Sequence, residues 1–259
     1  MYYFIENIGK KFLGIIYYFG SLSVLSFSSF RKIFKRENRK KKIVKYIEEI
    51  GVHSFPLVGI ISTFTGMVMV METVHTLKKF GAEMYAGGIV SVSMIRELGP
   101  VLVSMIIAGR VGASFAAEIG TMKITEQIDA LKVLAVDPIS YLVTPRLLGG
   151  LIAIPMLFIL SFFLAIIGGL VVSAFMAGIG WRMYLSQSFK LIDYKDLFVG
   201  FIKILVFGII IVNTCCHEGF RTKGGAKGVG NAATSSVVVS FFLIILANLI
   251  LTALFYFKR

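Results

Sequence analysis

LLGGLIAIPMLFILSFFLAIIGGLVVSAFMAGIGW, Leu147 to Trp181, runs for 35 residues without an Asp, Glu, Lys or Arg. A helix needs about 20 such residues to cross the ~30 Å hydrocarbon layer of a bilayer. Working outward, four more uncharged or nearly uncharged stretches run from Ile50 to Met71, Leu98 to Ala117, Leu197 to Cys216 and Ala232 to Phe257. None shows the two-residue alternation of a barrel strand, and an isolated strand cannot satisfy its backbone in lipid, so each reads as a helix. The composition agrees. Hydrophobic residues make up 57% of the 259 and charged ones only 16%, against roughly 25% charged in a soluble domain. The fold class is an all-α membrane protein with five transmembrane helices. Leu147–Trp181 exceeds one perpendicular crossing, since 35 helical residues reach about 52 Å. Tilt, a kink near Pro155, a bend at Gly168-Gly169 or Gly178/Gly180, or continuation above the membrane would absorb the excess.

Phe12 to Phe30 is also uncharged, but five of its 19 residues are serines, and Lys10, Lys11 and Arg31 flank it. A spanning helix with strong positive charge on both sides would defy the orientation rule. The segment is therefore expected to be an amphipathic helix lying in the interface. Domain organisation follows: 1–45 holds this helix and a basic cytoplasmic segment, and 46–259 forms one transmembrane domain.

The net charge is +13, and nine of the 27 Lys and Arg residues fall between Arg31 and Lys45. Beside an apolar segment, that cluster reads as a positive-inside anchor facing anionic headgroups; no nucleic-acid module accompanies it. Alternating the spans from there puts 118–146 and 217–231 in the cytoplasm as well. The cytoplasmic pieces then carry 15 basic residues and the outer pieces (72–97, 182–196 and the C-terminal tip) 8. The topology is N-terminus in, C-terminus out.

Several chemistries are excluded. Cys215, Cys216, His217 and Glu218 form a tempting metal string, but helix neighbours point about 100° apart and converge poorly on one ion. His53, His75 and His217 lie in different segments, and no catalytic constellation appears. The glycine-rich stretch Gly219–Gly230, read as a loop, lacks the Gly-Lys-Ser/Thr of a phosphate loop; the one Gly-Lys pair is Gly9-Lys10. The chain itself holds no catalytic residue, no metal and no cofactor, so ATP and Mg for any ATP-driven step bind on a separate subunit.

Within the spans, two rows of small residues, Ala108/Gly112/Ala116 and Gly109/Ala113/Ala117, let a helix approach closely, inside the chain or across a dimer seam. Arg110, mid-span, should face protein or a wet cavity. Arg96 and Glu97 precede Leu98-Gly99-Pro100, where Gly-Pro weakens or bends the helix. Between two spans, EIGTMKITEQIDALKVLAVDP (Glu118–Pro138) reads as a short amphipathic helix. Ile124, Ile128, Leu131 and Ala135 share one face, Thr125 is placed to cap it, Glu126 suits its first turn, and Asp137-Pro138 ends it. A cytoplasmic helix of this kind either rests on headgroups or docks a partner.

R-E-L-G-P (Arg96–Pro100), A-G-R-x-G-A (Ala108–Ala113), A-E-I-G-T-M-K-x-T-E-Q-I-D-A-L (Ala117–Leu131), V-D-P (Val136–Pro138) and the later K-G-G-A-x-G-V-G-x-A-x-T pattern from Lys223 to Thr234 closely resemble the MlaE/YrbE family of ABC-transporter permeases. The resemblance runs from about Lys45 to the C-terminus. It implies a homodimeric permease that moves phospholipids or related hydrophobic molecules between the inner membrane and a periplasmic MCE-domain protein. A cytoplasmic ATPase drives it, often with a small STAS-domain subunit. It also implies a setting in the inner membrane of a double-membraned bacterium or the inner envelope of a plastid. On this resemblance Glu118, Gly120, Thr121, Met122, Glu126, Asp129 and Leu131 couple to the ATPase, and Met69, Glu72, Leu77, Phe80, Glu97 and Leu98 line the lipid pathway at the dimer axis. Two departures stand out. Glu72 replaces a common Gln and has Lys78 and Lys79 within reach, and Ser236 stands where the family has Arg. A permease for sterols or fatty acids, and a membrane scaffold with no transport path, are the competing readings.

Overall fold

The computed structural model describes residues 2–33, 40–176 and 178–257. Lys35, Arg36 and Arg39 of the basic cluster, the 1–45 boundary segment from 34 to 39, and the tip Lys258-Arg259 lie outside the described residues. Eleven α-helices are present among those described: α1 (Tyr2–Ile33), α2 (Lys40–Ile50), α3 (Phe55–Lys78), α4 (Ala86–Ser93), α5 (Gly99–Ile107), α6 (Ala113–Ile124), α7 (Gln127–Val133), α8 (Thr144–Phe175), α9 (Trp181–Lys190), α10 (Tyr194–Phe220) and α11 (Gly225–Tyr256). Short 3₁₀ or π-helical turns join several end to end, leaving five continuous helical stretches long and apolar enough to cross a membrane: Lys40–Lys78, Glu83–Ile124, Ile139–Phe175, Tyr194–Phe220 and Gly225–Tyr256. The five spans match the five apolar runs, with both ends extended wherever polar residues continue a helix beyond the bilayer.

The third span divides the apolar run Leu147–Trp181 but is itself 37 residues long, so it continues beyond the hydrocarbon layer or tilts within it. Its helix begins earlier, at Ile139, and stops at Phe175. Gly178, at φ +66°, then turns the chain into α9, which opens at Trp181. The long apolar run is thus one crossing plus a bend and the start of a second, shorter helix. The Gly219–Gly230 stretch is mostly helix rather than loop. Only Arg221–Gly224 interrupts α10 and α11, with Gly224 at φ +85° starting the turn into α11.

The spans pack through small residues, as expected where lipid supplies no hydrophobic drive between helices. A side chain at Gly66 would overlap the Ala165 carbonyl, and one at Gly168 would overlap that of Thr63, so α3 and α8 lie backbone to backbone. The larger core joins Val103, Ile107 and Phe115 to Ile154, Phe207 and Ile211. A second core, near the other end of the spans, surrounds Val70, Met94, Phe162 and Tyr184.

Helix α1 is one 32-residue helix, longer than the predicted 12–30 segment. Of its serines, Ser29 is buried, Ser21, Ser26 and Ser28 are half-buried and Ser23 is exposed. Ser21 Oγ lies 2.8 Å from His217 Nε2, while Leu13, Tyr17, Val24 and Phe27 point outward. Tyr18 donates to Glu218 (2.6 Å), and burial together with that carboxylate raises the phenol's pKa, so the hydroxyl stays protonated as the donor.

Candidate coupling joint and charged cluster

At one end of α10, the segment after α6 forms a joint. The Glu118–Pro138 stretch is not one amphipathic helix. Its first seven residues prolong α6 to Ile124, and only Gln127–Val133 form α7. The break falls at Glu126, which takes the left-handed conformation at φ +60° and therefore caps α7 from outside its first turn. Thr125 does not cap; its hydroxyl donates back to the Thr121 carbonyl at 2.9 Å. Helix α7 ends in a Schellman motif, with Val136 N–H on the Leu131 carbonyl and Ala135 N–H on that of Lys132. Ala135 sits at φ +56°, where a residue with a Cβ costs about 1–2 kcal/mol. Ala135→Gly is therefore expected to slow amide exchange of α7 about fivefold, as read by hydrogen–deuterium exchange over 127–136.

Asp137 does not terminate α7; it opens the next helix. Its carboxylate accepts from Ser140 N–H (2.9 Å) and pairs with Lys32 of α1 (2.6 Å). Burial pushes the Asp137 carboxyl up, but the Lys32 ammonium and the Ser140 amide outweigh it and hold it below the usual carboxylate range. Asp129, about half of whose side chain is exposed, is likewise held low by Lys132 (2.7 Å) and Lys123 (3.2 Å). Of the predicted face, Ile128 is buried, Ile124 and Leu131 are half-buried, and Ala135 is exposed. The outward surface carries two large apolar residues that the periodicity did not single out, Val133 and Leu134, 87% and 71% exposed.

The remaining expected coupling residues point elsewhere. Gly120 packs on Thr222: an added Cβ would lie 2.7 Å from its hydroxyl. Met122 joins the apolar cluster around Ile119, Ile128 and Leu142. Thr121 is exposed, its hydroxyl on the Ala117 carbonyl. Glu118 reaches Arg146 of α8, Oε2 to Nη2 2.5 Å. That guanidinium is wholly buried between the rings of Tyr46 and Phe115 (4.7 and 5.2 Å), and its Nη1 donates to the Leu142 carbonyl at 2.6 Å.

The two small-residue rows part ways. Ala108/Gly112/Ala116 is buried against α10, with Cys215 Sγ 2.6 Å from where a Gly112 Cβ would be. Gly109/Ala113/Ala117 is the more open row: Gly109 is exposed, Ala113 and Ala117 are half-buried, and nothing lies within 4 Å of a Gly109 Cβ. Beside that open row Arg110 donates to Ser54 (2.7 Å), bordering a polar cavity of about 570 Å³ with Lys45, Glu49 and Glu118. Cys215 and Cys216 diverge, the first toward Ser240 and the second into the Ile119 cluster.

At the other end of α10, two charged pairs interlock. Arg96 grips Asp196 with two bonds (2.5 and 3.0 Å), and Tyr256 donates to the same carboxylate at 2.9 Å. Lys203, wholly buried, spends its three protons on Glu97 (2.6 Å), Thr252 (2.7 Å) and the Arg96 carbonyl (2.8 Å). The last contact has a backbone cause. Pro100 has no N–H to return to the carbonyl one turn back, so the helix widens into a π-helical turn over Met94–Leu98 and the lysine takes the freed oxygen. Asn248 and Thr252 of α11 complete the Glu97 carboxylate at 2.8 and 2.9 Å.

A profile described as "Permease MlaE" matches residues 43–254. The chain is 38% identical over 251 residues to a probable ABC transporter permease protein of Rickettsia felis, covering 97% of each. It is 39% identical over 227 residues to one of Synechocystis, covering 88% of this chain and 86% of that one. It is also 35% identical over 225 residues to the Arabidopsis thaliana chloroplastic protein trigalactosyldiacylglycerol 1, across 87% of this chain and 64% of that protein.

The chain belongs to the MlaE permease family.

As an ABC-transporter permease it is a non-catalytic subunit, and ATP is hydrolysed by a separate ATPase partner. Within this MlaE permease the predicted lipid-pathway residues do not form one group. Glu97 is held inside the charged cluster. Met69 and Leu98 pack against the second core. Leu77 is half-buried near the end of α3, Phe80 projects freely beyond it, and Glu72 is exposed and pairs with neither Lys78 nor Lys79. Ser236 is not in a loop: it is buried on α11 and donates to the Ala233 carbonyl at 2.7 Å. The MlaE permease also has an apolar side cavity of about 400 Å³, lined by Ile95, Phe158, Phe162, Phe189 and Tyr194, that the sequence reading missed. Lys203 was missed too, although it left a signal as the one charged residue between Leu197 and Cys216.

Proposed function

We propose that this permease moves phospholipids between the inner membrane of a double-membraned bacterium and a periplasmic MCE-domain protein, as one half of a homodimer driven by a cytoplasmic ATPase. ATP and Mg bind on that ATPase, and a small STAS-domain subunit joins the assembly. The observation that carries the reading is a charged cluster set in an apolar wall. Arg96 and Glu97 keep 37% of their side chains exposed at one end of spans whose neighbouring faces are apolar (Leu249, Ile245 and Phe242 on α11). Charge beside exposed hydrocarbon suits an amphiphile with a polar headgroup and acyl chains, and the name of the Arabidopsis relative contains a glycerolipid. The exposed Gly109, heading the Gly109/Ala113/Ala117 row, supports a second copy, because small residues allow close helix approach. The exposed Val133 and Leu134 of α7 support docking of the ATPase over simple rest on headgroups. The outward apolar face of α1 (Leu13, Tyr17, Val24 and Phe27), with Ser29 buried and Ser21 turned to His217, supports an interfacial position.

Native mass spectrometry of the purified complex with lipid extraction tests the substrate. Phospholipid bound to a two-copy permease is expected; sterol or free fatty acid in its place would refute the assignment. Leu77→Trp and Leu98→Trp are each expected to lower lipid transfer about tenfold in a reconstituted assay. Unchanged transfer in both would favour a scaffold.

A further inference from the structure

We infer that the Glu118–Arg146 pair is the link through which movement of α7 reaches the membrane-spanning helices. The inference rests on the transport reading above and deepens it. Glu118 lies about two helical turns before the α6–α7 break at Glu126, and Arg146 lies in the first turn of α8. The guanidinium is wholly enclosed. Tyr46 of α2 and Phe115 of α6 stack on it, Glu118 holds one end at 2.5 Å, and the Leu142 carbonyl holds another at 2.6 Å. Three elements from distant parts of the chain therefore meet on a single side chain.

The surroundings leave little slack. An added Cβ at Gly149, one turn beyond Arg146, would lie 2.8 Å from the Cβ of Tyr46, so α2 rests directly on α8. Beside Glu118, Ile119 abuts Gly219 of α10 at 2.7 Å by the same measure. The guanidinium is wholly buried between two rings, so a shift of the helices cannot exchange its partners for water without opening that packing. Rotation of the α6 end, driven through α7, must therefore carry α8 and α2 with it or break a buried charge pair. Glu118 thus acts from inside the joint; its expected contact with the ATPase is indirect. Arg146 is a positioning residue, since it touches neither lipid nor ATPase.

The test uses the complex of permease and ATPase in lipid nanodiscs, with Arg146→Gln and Arg146→Lys. Glu118 keeps 43% of its side chain exposed, so water can solvate it once the glutamine replaces its partner. Each variant is first compared with wild type for ATPase stoichiometry and thermal midpoint. Hydrogen–deuterium exchange is then measured with and without a non-hydrolysable ATP analogue. In wild type the nucleotide is expected to change exchange in α7, in α2 and in the first turns of α8. In Arg146→Gln the change is expected to stop at α7, with ATP hydrolysed within twofold of wild type and lipid transfer reduced at least tenfold. Arg146→Lys, which keeps the charge, should recover part of both. If Arg146→Gln does not assemble, the double variant Arg146→Gln with Glu118→Gln, which leaves neither charge unpaired, takes its place, and the nucleotide-dependent change is again expected to stop at α7. Nucleotide-dependent exchange reaching α8 and α2 undiminished in the variant overturns the link. Loss of lipid transfer in wild type, with the exchange pattern as expected, would instead refute the transport reading and leave the link standing.

Discussion

Lys203→Met is expected to destabilise the permease by about 1–3 kcal/mol, the cost of leaving buried polar partners without their donor, because Glu97 keeps 37% of its side chain exposed and is partly solvated. An ammonium in a membrane span is itself unfavourable by about 2.5–3.5 kcal/mol on insertion scales. It is tolerated here because all three of its protons are placed, on Glu97, Thr252 and the Arg96 carbonyl. Methionine fills similar volume but leaves the Glu97 carboxylate facing only Asn248 and Thr252, and leaves the Arg96 carbonyl, already abandoned by Pro100, without a donor. The damage should show as a lower thermal midpoint in detergent and reduced folded yield. Lys203→Met with Glu97→Gln removes both charges, and recovery of at least half the lost stability is expected, since a neutral amide can still bond to Asn248 and Thr252. A single variant as stable as wild type would mean that the cluster contributes nothing to the fold.

The second large effect concerns α7. Glu126→Lys with Asp129→Lys is expected to abolish co-purification of the ATPase, and Val133→Asp with Leu134→Asp to do the same by a different route. The first pair reverses charge where Lys123 and Lys132 already stand on either side of Asp129 (3.2 and 2.7 Å), turning a balanced surface into a cationic one. The second places two carboxylates where apolar side chains stand 87% and 71% exposed. Neither set is buried, so the permease itself should fold, which circular dichroism and gel filtration would show. A complex retained at wild-type stoichiometry in both variants would remove α7 as the docking element.

Five spans and their order were legible in the sequence because long uncharged runs have no other use in a chain of this composition. Their ends were not. Lys40–Ile50 is polar enough to read as linker, yet Tyr46 and Ile50 bury it against α8 and it continues the first span. The excess length of Leu147–Trp181 was legible, and of the candidate bends the chain turns at Gly178, but the extension of that helix back to Ile139 was not legible. The joint at Glu118 was recognised by pattern, but its partner Arg146 stands 28 residues further on, at the edge of an apolar run where a flanking cation is ordinary. The π-helical widening at Met94–Leu98 was legible only in part. Gly99-Pro100 signalled a weakened helix there, but not that Lys203 would reach the freed Arg96 carbonyl from another helix, a contact that no periodicity within one segment reports. The two small-residue rows looked alike in sequence, and only the packing of α10 told the buried row from the open one.

Proteoliposomes holding the permease, its ATPase and a fluorescent phospholipid, with an MCE-domain acceptor outside, test the central claim most directly. The account predicts lipid transfer that requires ATP, requires the ATPase, and is lost with the Glu126→Lys and Asp129→Lys pair. Transfer that proceeds at the same rate without ATP, or ATP hydrolysis by the assembled complex with no lipid moved, would contradict it.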